Sequence, residues 1–297
     1  MAKLRIWFLE TRPHFLLLSV VLVFLGACIA WHDGNFELNW ALLTFLGLLL
    51  AHISVNVLND YFDYRSGVDA KTHRTPFSGG SGILPAHLLT LRQVFWFGIG
   101  SFLMILPIGI YFLIVRGWLL LPLIIVGVVC ILAYTPFILK TKWPEWLAGL
   151  GLGTLPVLGT YYVQTAAYTF PAIVASVPSG ILVHNLLLLN EFPDVEADKT
   201  VNRKTLPITL GKTAAGIIYS VLTLTVYLWI VASVVARFMP IPTLVTLLTL
   251  PLAMRAIRGA LKPEDKSKLM PALASNVQLV LLTQLFLGVG YILASFF

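Results

Sequence analysis

The sequence predicts an all-α polytopic membrane protein, a bundle of nine transmembrane helices forming a single domain over residues 1–297. Three observations predict it. Hydrophobic residues make up 58% of the chain and charged residues 11%, against about one quarter charged in ordinary soluble domains. Apolar runs long enough to cross a bilayer recur from end to end, and mean hydropathy is +0.89. Lys and Arg are concentrated in alternate loops between these runs, the pattern that sets membrane orientation.

At about 20 apolar residues per crossing, the spans fall at 14–31, 40–60, 94–115, 118–139, 146–164, 171–190, 213–236, 241–258 and 271–296. The first contains "LGAC", residues 25–28, which looks like a lipoprotein cleavage site. Another span begins soon after it, so the first is read as a retained helix. The second runs into "NDYFDYRSGVD", residues 59–69, with Gly67 as the helix stop. The fifth carries "GLGTLP", a point at which the helix would have to break for its far end to reach a pocket. The sixth runs into "NEFPDVEAD", residues 190–198, where Pro193 removes a backbone hydrogen bond and kinks or restarts the helix. Only "RFMPIP" separates the seventh from the eighth.

With the N-terminus inside, eighteen of the 20 Lys and Arg residues lie on the cytoplasmic side, leaving Arg116 and Arg237 outside. That split supports an odd number of spans, a C-terminus outside, and both acidic stretches in the cytoplasm of a prokaryotic cell. It also accounts for the basic composition without nucleic acid, and nothing in the chain implies an obligate protein partner. Cys28 and Cys130 both lie in apolar runs and imply neither a disulfide framework nor a thiolate metal site.

The two acidic stretches carry the chemistry. Residues four apart share a helix face, and Asn56/Asp60 and Asn59/Asp63 have that spacing, within an arc of about 100°. Beyond Gly67, Asp69 is free to fold back toward Asp63. Asn190, Asp194 and Asp198, spaced four and four, form one stripe down a helix end. Carboxylates at membrane depth are costly and by default functional, and like charges so close require a cation. Carboxylate and amide oxygens without His or Cys suit hard ions such as Mg2+ or Ca2+ and not zinc. Mg2+ is bound through one or two carboxylates together with substrate phosphates. Lys71, His73 and Arg74 follow the first cluster, and Lys199, Arg203 and Lys204 the second, so the pattern describes a site for a phosphorylated substrate. A diphosphate at the mouth of an apolar bundle points to an apolar tail, and a prenyl diphosphate has that form. Metal neutralises the leaving diphosphate, and the allylic cation is shielded from water and faced by aromatic rings.

The paired Asn/Asp motifs on two helix ends within nine spans resemble the UbiA superfamily of membrane prenyltransferases, from "RPHFLLL" at residue 12 to the last span. Three features are similar to the 1,4-dihydroxy-2-naphthoate branch that makes menaquinone precursors: the six-residue step from Asp63 to Asp69, "LGTYYVQT" at 158–165, and "NEFPDVEADKTVNRKTLPITLG". "HRTPFSGGSGIL", residues 73–84, departs from the loop of that branch. The resemblance implies Mg2+-dependent transfer of a polyprenyl group from a prenyl diphosphate to an aromatic acceptor at the lipid bilayer, giving a demethylmenaquinone-type product. It implies Asn59, Asp63, Asp69, Asn190, Asp194 and Asp198 as Mg2+ and diphosphate ligands, with Asp60 as an adjacent partner. Tyr134, in "AYTPF", resembles a family tyrosine near the reacting carbon. Arg74, Lys140, Lys199 and Arg203 are the diphosphate contacts expected from charge and loop position. Tyr161, Tyr162 and Gln164 fall at the outer end of the fifth span, "SGGSG" at 78–82 is a flexible loop, lid or phosphate nest, and His52 and His184 are core residues.

Other acceptors of the same superfamily remain open: 4-hydroxybenzoate, a glycerol phosphate lipid or a porphyrin. Membrane alcohol phosphotransferases place their aspartates in one continuous motif, whereas Asp63 and Asp194 are 131 residues apart. A divalent-cation transporter would continue its acidic path to the outer halves of the spans, which carry no acidic residues.

Overall fold

The computed structural model describes residues 2–296, which fold into helices with no strand among them. A short helix α1 (Ala2–Glu10) precedes α2 (Pro13–His32), α3 (Leu38–Ser66) and α4 (Leu91–Arg116). A single 3₁₀ turn then leads into α5 (Leu121–Leu132). Next come α6 (Glu145–Gly149), a π turn at Leu150–Thr154, and α7 (Leu155–Thr165). α8 (Phe170–Asn190) is followed by the short α9 (Val195–Lys199) and α10 (Leu206–Thr209). The chain ends with α11 (Lys212–Val235), a 3₁₀ segment continuing into α12 (Leu250–Ala260), and α13 (Lys266–Ala294).

Among the described residues, seven helical segments are long and apolar enough to cross a membrane, not the expected nine. The two that fall short are the expected spans 118–139 and 146–164. The first keeps regular α-helix only over Leu121–Leu132 and then turns, with Pro136 unable to donate a helical hydrogen bond. The second is interrupted at Leu150–Thr154, just ahead of Pro156, where Gly151 and Gly153 give little resistance to a π turn. Irregular backbone is tolerated at membrane depth where it is buried in protein or lines a cavity, and this stretch does both.

Glycine makes that burial possible. A Cβ on Gly149 would lie 2.6 Å from the Gly180 carbonyl oxygen, and one on Gly153 2.5 Å from that of Ser179. The broken helix therefore packs backbone to backbone on α8, as small residues permit in membranes. The main core lies where α2, α7, α8, α11 and α13 meet, around Leu22, Leu25, Tyr161, Leu182, Ile230 and Leu287. A polar seam crosses it: Asn185 donates to the Tyr219 carbonyl at 3.0 Å and to Thr223 at 2.9 Å, and Tyr219 donates to Asn276 at 2.9 Å.

Both acidic motifs sit where regular helix stops. α3 ends at Ser66, and Gly67 (φ 77°) adopts the left-handed conformation that terminates it. The second motif is not a stripe on one helix. α8 stops at Asn190, residues 191–194 form a turn around Pro193, and Asp198 sits on α9.

Candidate active site

The ends of α3 and α8, the turn after α5 and the segment leading to α10 enclose one cavity of about 210 Å³. Asn59, Asp63, Asp69, Asn190, Asp194, Asp198, Tyr134 and Arg203 all line it. Residues far apart in sequence are thus gathered at one mouth. Deeper, the walls become apolar, with Phe15, Leu18, Val183 and Leu187.

Arg203 answers the like-charge problem. Its guanidinium reaches Asp63 through one nitrogen and donates to Asp198 at 2.7 Å through the other, clipping the two motifs together. A second arginine does similar work beside it. Arg12 lies 3.6 Å from Asp60 and donates to the Asn59 side-chain oxygen Oδ1 at 3.3 Å, while the Asn59 side-chain Nδ2 donates to Asp63 and Thr135, both at 3.2 Å.

These two guanidinium groups leave a large deficit of positive charge. Burial first, and then Asp198, push Asp194 up to about 7. Burial and then Asp63 push Asp69 up to about 7 as well. Glu191 is held well above the carboxylate range by burial and by the facing carboxyl of Glu145. Several buried oxygens in this region have no hydrogen-bond partner: Asn190 Oδ1, Asp194 Oδ1 and the Tyr134 hydroxyl. Unpaired buried oxygens of this kind mark a place for a ligand. The donor set is oxygen only, and its chemistry fits Mg2+. Among the described residues no three acidic, His or Cys groups converge as a metal cage.

The loop after the first motif is tied down. The Ser81 amide donates to Asp60 at 2.7 Å and its hydroxyl to Glu10 at 2.7 Å. Gly80 (φ 69°) makes this turn, and a Cβ there would come within 3.1 Å of Asp60. "SGGSG" is therefore a strap held by the end of α1 and by α3, with Ser78, Gly79 and Gly80 facing the cavity.

The remaining expected contacts lie elsewhere. Arg74 donates to the Gly80 and Ser81 carbonyls within the strap. Lys140 is exposed at the end of a 3₁₀ turn, and Lys199 pairs with Glu196 at 2.7 Å. His52 contacts Ser19 but also lines the deep cavity wall, and His184 is 3.1 Å from Asn185. Tyr161, Tyr162 and Gln164 are at the opposite end of the bundle, where Gln164 exchanges two hydrogen bonds with the Glu37 backbone at the start of α3. Sequence reasoning missed Arg12, Glu10, Glu191 and Glu145. Arg12 was visible as a membrane-orientation charge and as the first residue of "RPHFLLL", without a role at the site; Glu191 had a signal, an acidic residue inside the Asn190–Asp198 motif.

Residues 19–289 match the UbiA prenyltransferase family. The chain is 28% identical to the 1,4-dihydroxy-2-naphthoate octaprenyltransferase of Bacillus subtilis (strain 168), over 96% of this chain and 92% of that protein. A UbiA homolog from Aeropyrum pernix K1 superposes with a TM-score of 0.67 at 16% identity, covering 94% of this chain and 97% of the other. A UbiA homolog from Archaeoglobus fulgidus, solved bound to GPP and Mg2+, superposes with a TM-score of 0.64 at 13% identity, covering 98% of each chain. Seven membrane-length helices, one cavity gathering both acidic motifs and a family match across nearly the whole chain lead to one conclusion: this is an integral membrane enzyme of the UbiA prenyltransferase family.

Proposed function

We propose that the protein transfers a polyprenyl group from a prenyl diphosphate to 1,4-dihydroxy-2-naphthoate, with Mg2+, at the cytoplasmic face of the membrane. The observation that carries this reading is the cavity itself, which is rich in unpaired buried oxygen at its mouth and apolar at depth. The similarity to naphthoate prenyltransferases over nearly full length favours this acceptor.

In this reading Asn59, Asp63, Asp69, Asn190, Asp194 and Asp198 hold the metal. Bound Mg2+ supplies positive charge against which a diphosphate can leave. Arg203 and Arg12 add fixed charge beside it, positioned before substrate arrives. The donor's allylic C–O bond breaks, and its electron pair departs with the diphosphate. Phe15, Leu18 and Val183 exclude water from the carbon left electron-poor, and the Tyr134 hydroxyl, free of any partner in the protein, lies in the same chamber. The ring carbon bearing the acceptor's carboxylate forms the new C–C bond. The C–COO⁻ bond then breaks, its electron pair returns to the ring and CO2 leaves, giving the hydroquinone form of a demethylmenaquinone-type product. Decarboxylation makes a strong general base unnecessary.

The test offers the purified protein a prenyl diphosphate with each acceptor class in turn and weighs the products. Prenylated naphthoate lacking its carboxylate is expected. Prenylated hydroxybenzoate that keeps its carboxylate, or a prenylated glycerol phosphate, with no naphthoate product, would overturn the acceptor assignment.

A further inference from the structure

A second cavity of about 270 Å³, open on one side along α4 where Leu106 and Ile110 are exposed, lies beyond the first, and its lining is almost wholly apolar. Three elements place it as a continuation. On α3 the first cavity is lined down to His52, and the second takes over at Ala51, Leu48 and Thr44. On α5 the handover is at Cys130. On the broken helix it is at Leu152. Cys130 and Leu152 line both chambers and are therefore the wall between them.

That wall is built by the π turn. It brings Gly151 so close to Cys130 that a Cβ there would lie 2.3 Å from the sulfur, and the Cys130 thiol rests 3.8 Å from the Leu147 carbonyl. From Asp63 to Ala51 the rise along α3 is about 18 Å, and to Thr44 about 28 Å. A short donor tail ends below the wall, and a long one has to pass it. Beyond the wall, Gly127 on α5 lines the second cavity, and a Cβ added there meets nothing within 4 Å. Glycine inside a helix costs about 1 kcal/mol relative to alanine, and packing gives no reason for it here. Space for a ligand does.

Resting on the prenyl-transfer reading, we infer that Cys130 and Leu152 set the length of donor tail the enzyme accepts, and that the far isoprene units of long donors occupy the second cavity. Nothing in this assignment touches the reacting atoms. It concerns only which prenyl diphosphates fit.

The experiment measures kcat/KM for geranyl, geranylgeranyl and octaprenyl diphosphate with one fixed acceptor. Gly127→Leu fills the far cavity without a backbone clash, and the octaprenyl-to-geranyl ratio is expected to fall at least about tenfold, the scale of small volume changes in an apolar pocket. Cys130→Ala widens the wall and raises the same ratio. A purely structural role for either residue would lower both donors together and leave the ratio fixed. An unchanged ratio in either variant overturns the inference. Should Gly127→Leu fail to insert in the membrane, the ratio for Cys130→Ala decides alone. Failure of the wild-type protein to use any prenyl diphosphate is a different result, and it overturns the underlying reading instead.

Discussion

The two ends of the bundle are built from similar residues and treat them in opposite ways. At the end away from the motifs, the Glu37 amide donates to Gln164 at 2.7 Å, Gln164 donates back to the Glu37 carbonyl at 3.1 Å, and Arg116 donates to the Gln164 carbonyl at 2.8 Å. Arg116 also lies 4.0 Å over the Trp40 ring, Tyr162 donates to the Arg116 carbonyl at 3.0 Å, and Tyr161 donates to Asp33 at 2.6 Å. These contacts join the loops on either side of α2, α3, α4 and α7. At the motif end, Asn190, Asp194 and Tyr134 keep buried oxygens without partners. A buried polar group left unpaired costs about 1–3 kcal/mol. The far end leaves only Arg116 Nε and the Tyr291 hydroxyl without partners among the groups around it and spends the rest on holding the fold, whereas the motif end leaves oxygens free around the proposed site.

The sharpest way to break this contrast is to remove charge at the motif end. Asp63→Asn or Asp194→Asn preserves volume and is expected to lower activity at least about a hundredfold, the scale of several kcal/mol of lost transition-state stabilisation. Membrane insertion of Asp194→Asn stays close to normal, because it relieves like-charge repulsion with Asp198, whereas Asp63→Asn also breaks the ion pair to Arg203 and lowers stability. Measuring diphosphate release and expression side by side checks both halves; full activity in either purified variant would make these orientation charges.

The converse substitution is at the other end. Gln164→Ala leaves the Glu37 backbone N–H and carbonyl short of partners, while the Arg116 bond to the residue-164 backbone carbonyl is kept, and should cost about 1–3 kcal/mol of stability. Assayed well below its melting temperature, the variant keeps kcat/KM near that of the wild type. A large fall in kcat with an unchanged melting temperature would mean that this end belongs to the site after all.

A smaller effect concerns the strap. Burial, reinforced by Asp60, pushes Glu10 up to about 8. Its folded value lies above its ordinary one of 4.5, so the stability it contributes is fully present at acid pH and is lost as pH rises toward about 8. Hydrogen exchange at residues 78–82 should therefore quicken across that range, and Glu10→Gln should flatten the dependence. Equal pH dependence in the two proteins would exclude Glu10 as its source.

The smallest change is one of sidedness alone. Single cysteines placed in the loops near Asp69 and Asp198 are expected to react from the cytoplasm, and one near Asp33 from outside. Labelling of the two motif loops from opposite faces would dismantle the shared cavity.

The sequence made the helical class, the paired motifs and the Gly67 stop legible, because each rests on local spacing or backbone preference. Pro193 likewise announced that the second motif restarts a helix. The clip made by Arg203 was not legible: it joins residues 140 positions apart, and no helical period relates them. The division of the expected fifth span was legible as a candidate point, "GLGTLP", but not as an event. Its hydropathy suits a crossing, and only its packing against the Gly180 region shows that it is bent around a cavity wall. The "GTYYVQT" stretch, read from sequence as a mark of one branch, turns out to be a fastening at the far end.

Arg203 has one more consequence. Since a residue of the chain already sits between Asp63 and Asp198, the newly inserted protein pairs these two carboxylates from within, and burial keeps Asp69 and Asp194 closer to neutral than exposed carboxylates. Folding and catalytic readiness then become separate events with separate requirements. Under the Mg2+-dependent reading proposed above, a cell short of divalent ions would accumulate intact, dormant enzyme rather than misfolded polypeptide for its proteases to clear, and restoring the ion would restore activity without new synthesis.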